Sequence, residues 1–277
     1  MAGYWTLEDV PWDRFEPSGI DPEMLCIVKA AALVEYNAGD YVAYLCNVFS
    51  GDNAFQDAAH RWGREEIQHG LALSRWAKCA DPDFDFEAAL ARFRAGYSIA
   101  VDADGSIRGS QAGELVARCV VEVGTSSYYT ALAAATDEPV LKDICRRIAR
   151  DEVRHFRMFR DHLDRYLAVA PISRARRLSI AIGRIAESTD DELSFAYYAA
   201  NAAPDEPYDR RRAAAAYMVR ALTHYDRANI RQMVRMTLRA VGVDLPVWAG
   251  EGLTRTAHRY VQYRARRAVS EAGVRAG

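Results

Sequence analysis

The chain has no run of about eighteen uncharged apolar residues, the length at which a membrane-spanning helix is suspected, although 50% of its 277 residues are hydrophobic. It also has no excess of positive charge. The formal net charge is −2, which leaves a nucleic-acid-binding face without its electrostatic basis. The five cysteines, Cys26, Cys46, Cys79, Cys119 and Cys145, form no C-x-x-C pair, so no cysteine pair of metal-binding or redox type is present. They are odd in number and fall in helical segments, where buried thiols are expected. The start, Met1-Ala2-Gly3-Tyr4-Trp5, lacks a charged segment followed by an apolar run. The expectation is a cytoplasmic protein whose residues 1–277 form one domain.

Against these absences stands a pattern written twice. Glu35 is followed at position 66 by Glu66-Ile67-Gln68-His69, and Glu122 is followed at position 152 by Glu152-Val153-Arg154-His155. Glu-x-x-His places a carboxylate and an imidazole one helical turn apart on a single face, and these are donors that iron and manganese accept in mixed oxygen and nitrogen shells. One such pair means little. Two pairs, each preceded by a lone glutamate at nearly the same interval, match a bundle in which two helices supply one glutamate each and two others supply Glu-x-x-His, all directed inward.

The surrounding residues place these donors on helices. Asp21-Pro22 reads as a helix start, after which Glu35 lies in a stripe containing Ala31, Ala32, Val34, Ala38, Val42 and Leu45. A second start at Ser50-Gly51-Asp52 opens a helix carrying Trp62, Glu66, His69 and Leu73 on one side. The third runs from about Ser110 to Ala135, and Glu122 is nearly the only acid in its apolar stretch. An unpaired charge there would cost several kcal/mol. The fourth begins near Thr136-Asp137-Glu138-Pro139 and continues through Glu152, His155 and Phe159 towards Leu167. Between the second and third, Asp81 to Gly109 forms a long connection of the crossover type. Beyond Ala170 a basic helix is expected over Ser173 to Ser188. A capping box follows at Thr189-Asp190-Asp191-Glu192, then one long helix from Tyr208 to Val241 and a last one from about Gly252 to Ala272.

At these residues the chain resembles the ferritin-like di-iron oxidases, and among them the soluble acyl-carrier-protein desaturases. The resemblance covers about Pro22 to Tyr166. It rests on Trp62-Gly63-Arg64-Glu65-Glu66-Ile67-Gln68-His69-Gly70, similar to the desaturase W-x-x-E-E-x-x-H-G segment, on Glu122-Val123-Gly124-Thr125, and on Asp151-Glu152-Val153-Arg154-His155. It implies an all-α fold, a ferritin-like four-helix bundle with a long crossover connection and extra C-terminal helices. It further implies that Glu35, Glu66, His69, Glu122, Glu152 and His155 hold two iron ions, with Glu35 and Glu122 as bridging or terminal ligands. Manganese is the alternative in either position, because the two metals share ligand preferences. Thr125 becomes the candidate for proton delivery, and Trp62 and Asp151 match positions associated with electron entry.

A metal-bound histidine normally donates its other N–H to a carboxylate or carbonyl. Glu65 and Asp151 are therefore expected to orient His69 and His155 across the bundle. Tyr36, Tyr128, Tyr129 and Phe159 lie within about a turn of the donors and are candidates for a substrate pocket. His162 and His224 are candidates for extra ligands, with packing or surface roles as the simpler account. The implied activity is oxidation of an organic substrate by dioxygen, through desaturation, hydroxylation or N-oxidation. The substrate would be a small molecule or be bound to an acyl carrier, electrons would come from a ferredoxin-type system, and the oxidase would be a monomer or homodimer. The alternative is a ferroxidase or iron-handling protein of the same fold. A peroxide-reducing protein of the rubrerythrin kind is disfavoured because its cysteine-bound iron site has no counterpart here. Arg255, Arg259, Arg264, Arg266 and Arg267 of the last helix read as a solvated face, with an acidic carrier as the other reading.

Overall fold

The computed structural model describes residues 4–187 and 191–272. The regular secondary structure among the described residues is all helical, with no strand. These residues form eleven α-helices: α1 Pro22–Tyr36, α2 Ala38–Val48, α3 Asn53–Ala80, α4 Phe86–Gly96, α5 Gln111–Ala135, α6 Pro139–Val169, α7 Arg174–Glu187, α8 Asp191–Asn201, α9 Arg210–Leu222, α10 Arg227–Val241 and α11 Val247–Ala272. No helix among the described residues is long and apolar enough to cross a membrane.

Local chemistry starts each long helix. The Asp21 carboxylate accepts from the Glu23 amide and the Asp52 carboxylate from the Phe55 amide, and the Ser110 hydroxyl accepts from the Gly113 amide. These side chains satisfy N–H groups that have no intrahelical partner. At α6 the cap is Glu138, which is fully buried. Its carboxylate accepts from the amides of Val140 and Leu141, from the Glu16 amide, and from the Trp76 indole at 2.6 Å. One side chain thus starts α6 and ties it to the N-terminal segment and to α3.

The helices pair as two hairpins. In the first, α1 and α2 run against α3; in the second, α5 runs against α6, and α3 packs on α6 to join them. The apolar stripe from Ala31 to Leu45 is divided between two helices because the chain breaks at Asn37. There the side-chain amide bonds Asp40 and its oxygen accepts from Arg94, which competes with helical hydrogen bonding. Gly70 and Gly63 set the closeness of this hairpin. A Cβ on Gly70 would lie 2.6 Å from the Tyr36 amide nitrogen, and one on Gly63 would lie 2.3 Å from a Val42 methyl.

The Asp81 to Gly109 connection contains α4, which packs on α8 and α1. Two expectations are corrected. The single helix expected from Tyr208 to Val241 is two, α9 and α10. Asp226 and Asn229 exchange side-chain-to-backbone hydrogen bonds, and this reciprocal cap begins a new helix inside the periodic stretch. The last helix starts at Val247, five residues before Gly252. The Thr189-Asp190 part of the expected capping box lies outside the described residues. Of the cysteines, Cys119 and Cys145 are buried, whereas Cys79 is exposed and the others are half-buried.

Two apolar clusters make up the core. One gathers α1, the C-terminal half of α3, α4, the start of α6, α8 and α9; the other gathers α2, the start of α3, the end of α6, α7 and α10. The middles of α3, α5 and α6 and the end of α1 lie between them. That waist is where the acids and histidines of the repeated pattern sit.

Candidate metal centre

Glu35, Glu66, His69, Glu122, Glu152 and His155 converge from α1, α3, α5 and α6, and none is more than 8% exposed. They form two interlocking groups whose donor atoms lie within 4.8 Å of one another. One contains Glu35, Glu66, His69 and Glu152; the other contains Glu66, Glu122, Glu152 and His155. Glu66 and Glu152 are shared, whereas Glu35 and Glu122 each belong to one group. Both shared glutamates belong to the Glu-x-x-His motifs, and the two unshared ones are the lone glutamates.

The imidazoles have a consistent orientation. His69 Nδ1 faces the cluster, 3.3 Å from Glu66 Oε2 and 3.3 Å from Glu152 Oε1, and His155 Nδ1 lies 3.0 Å from Glu66 Oε1 and 3.5 Å from Glu122 Oε2. The opposite nitrogens face outward, with His69 Nε2 3.1 Å from Asp151 Oδ2 and His155 Nε2 2.9 Å from Glu65 Oε2. Each histidine therefore meets the acid that precedes the other motif's ligand glutamate. Arg154 bonds both outer carboxylates, Asp151 at 2.5 Å and Glu65. With metal bound, this arrangement would hold Nε2–H and leave the Nδ1 lone pairs to serve as ligands.

The donor atoms fit a cation better than they fit one another. His155 Nδ1, Glu122 Oε2 and Glu152 Oε1 are buried and close to neighbouring polar atoms, yet none makes a hydrogen bond. His155 Nδ1 and Glu122 Oε2 lie 3.5 Å apart, and the donors of each group fall within 4.8 Å of one another. Four buried carboxylates against two imidazoles also leave an uncompensated negative charge, which two divalent ions would neutralise. Without metal, protons do part of this work. Burial, with the Glu66 charge, raises the Glu35 pKa well above the carboxylate range, and burial, with the Glu152 charge, does the same for Glu122. Burial would lower the His69 and His155 values, but the surrounding carboxylates outweigh it and raise both well above the imidazole range.

No protein-family model matches the chain, and no curated protein sequence matches it. The site must be read from its own geometry.

The remaining expected residues divide. The Thr125 hydroxyl donates to Glu152 Oε2 at 2.6 Å, and the Tyr129 hydroxyl donates to Glu35 Oε1 at 2.5 Å. Tyr128 packs edge-on against Tyr129, with ring centroids 5.1 Å apart. Trp62 does not approach the outer carboxylates. It stands against Phe159 at 5.6 Å, in the apolar cluster on the α2 side, with its indole N–H buried and without a hydrogen bond. Tyr36 turns to Phe86 and Arg94 on the α4 side. His162 packs on Phe55 and bonds Arg165. Neither it nor His224 belongs to the two donor groups.

Sequence reading missed Trp5. Its indole N–H donates to Asp151 Oδ2 at 2.6 Å, and its ring is stacked on His69 with centroids 6.0 Å apart and planes 8° apart. Arg147 covers its other surroundings. The sole local signal was an aromatic residue in an otherwise unremarked leading segment, and contact with a residue 146 positions away has no local signature.

Proposed function

We propose that this chain is a ferritin-like, non-haem di-iron oxidase or oxygenase that uses dioxygen to oxidise an organic substrate. The observation that carries the reading is the pair of donor groups sharing Glu66 and Glu152, with each histidine's outer nitrogen held by a carboxylate. A bound pair of ferrous ions would supply the electrons for dioxygen reduction. Manganese satisfies the same donor types.

This chain's residues would do the rest. Glu35, Glu66, His69, Glu122, Glu152 and His155 would hold the metals, and Asp151, Glu65 and Arg154 would lock the imidazoles in the liganding tautomer. Thr125, bonded to a shared carboxylate, is placed to deliver or take a proton at Glu152 Oε2. Tyr129 plays the corresponding part at Glu35 Oε1. Trp62, Phe159 and Tyr128 keep water away from the cluster, and Trp5 offers an aromatic contact between the outer surface and His69 for an electron donor of the ferredoxin type. The substrate, free or carried by an acyl carrier, would enter this apolar surround.

The test is to load the protein anaerobically with two ferrous ions per chain and mix it with oxygen in a stopped-flow spectrometer. The mixing is repeated with pooled acyl carriers, fatty acids or amines. An optical transient whose decay is accelerated by one pool supports a substrate oxidase. Fast multiple-turnover oxidation of excess iron, indifferent to every pool, moves the assignment to iron handling.

A further inference from the structure

Helix α7 buries only Ile180 and Ala181 and leaves a second apolar stripe in water. A surface helix ordinarily buries its apolar stripe and shows its charges to water. In α7, Leu178 and Ile182, 41% and 58% exposed, lie on the solvent side together with Ile185. Their spacing of four and three residues makes them one stripe. Arg184, by contrast, is 16% exposed at its side chain and faces Glu187, and the Arg177 guanidinium lies against Gly242. From Leu178 to Gly183 the helix carries no charged residue at all.

A neighbouring loop extends this face. Arg176 bonds the Arg108 carbonyl, and the Arg108 side chain reaches Glu187 with two hydrogen bonds. The loop bearing the exposed Ile107 therefore runs alongside α7.

Within α7 itself the charge is mostly of one sign. Arg174, Arg176, Arg177 and Arg184 lie in α7 against a single acid, Glu187, which is committed to Arg108. The occupant must therefore be apolar at its centre and anionic at its rim. A helix of 14 residues is about 21 Å long and presents a face about 10 Å wide, roughly 200 Å². A stable protein partner needs about 800 Å² on each side, so a second copy or an acidic protein docking on this stripe alone falls well short. A bilayer has no such threshold, because apolar side chains inserting between headgroups act singly and arginines add attraction to anionic lipid.

We propose that α7, with Ile107 at its edge, is a peripheral binding surface for anionic phospholipid membranes. This surface is independent of the metal centre and needs no spanning helix.

The experiment is co-sedimentation of the full chain with vesicles of one-third phosphatidylglycerol and two-thirds phosphatidylcholine, compared with phosphatidylcholine alone. The wild-type protein should partition onto the anionic vesicles, less so at high salt. Ile182→Glu should weaken partitioning by about tenfold or more, and Arg174→Ala with Arg176→Ala should weaken it by about tenfold. These positions are on the solvent side, so unchanged thermal melting verifies the variants' fold. Failure to partition onto anionic vesicles overturns the proposal, as does wild-type binding by Ile182→Glu. A dimer that Ile182→Glu converts to monomer in light scattering, with no vesicle binding, would instead make the stripe a contact between copies.

Discussion

Replacing Glu122 with leucine should make the metal-free protein more stable and the metal-loaded protein less so. Glu122 is 1% exposed, its Oε2 has no hydrogen-bond partner, and its pKa is raised by burial and by the Glu152 charge. A buried polar atom left unsatisfied costs about 1–3 kcal/mol, and because Glu122 is held towards its neutral form, its replacement does not incur the penalty of about 3–5 kcal/mol for orphaning one member of a buried ion pair. A gain near 2 kcal/mol is expected for Glu122→Leu, about 4–8 °C in melting temperature for a chain of this size. With metal the order inverts. The variant loses one donor of the group Glu66, Glu122, Glu152 and His155, whereas the wild type at a thousandfold excess over its dissociation constant gains about 4 kcal/mol per site. Calorimetric melting of the chelated and ferrous-loaded forms, with metal content measured on the same samples, reads both halves. If Glu122→Leu destabilises the chelated protein, or retains two tightly bound metals, Glu122 is a structural residue and the reasoning fails.

Asp151→Ala should weaken metal binding by about 10–100-fold, since it frees His69 Nε2, and should change the emission of Trp5, which bonds the same carboxylate; unchanged affinity in a ferrous titration refutes the orienting role. Gly70→Ala should lower stability by about 2 kcal/mol and loosen metal binding, because its Cβ would meet the Tyr36 backbone next to Glu35; an unchanged melting curve would contradict this. Glu138→Ala should cost about 3 kcal/mol through the lost cap and the unpaired Trp76 indole, with metal content unchanged once folded, as denaturant unfolding and metal analysis would show. The pH dependence follows from Glu35, Glu122, His69 and His155, whose folded values all lie above the ordinary 4.5 and 6.5. The folded apo chain binds protons that the unfolded chain releases, so its stability should fall as pH rises above those values. Metal binding must displace the same protons and should tighten with rising pH. Titration calorimetry in buffers of different ionisation enthalpy tests this, and absence of proton release would refute it.

The donors themselves were legible because their signals are local. Glu-x-x-His brings two groups together by helical periodicity alone, and Asp21, Asp52 and Ser110 mark helix starts by bonding amides two or three residues away. The crossed arrangement of Glu65 and Asp151 could be anticipated from the need of a liganding histidine for an outer acceptor. What periodicity could not assign was which glutamates are shared. That depends on how deeply α1 and α5 approach α3 and α6, and hence on close contacts such as Gly70 against Tyr36.

Several features belonged to tertiary structure alone. Trp62 and Trp5 are equally plausible neighbours of the centre in sequence, but only packing puts Trp5 on Asp151 and His69 and sends Trp62 to Phe159. The break between α9 and α10 was hidden because the periodicity continues across it, while the Asp226 and Asn229 exchange decides the outcome. The outward stripe of α7 shows the same division. Its sequence specifies an amphipathic helix by itself, since residue spacing sets which side chains share a face. Which face meets the protein is decided by long-range contacts, here those that bury Ile180 and Ala181 and leave Leu178 and Ile182 in water.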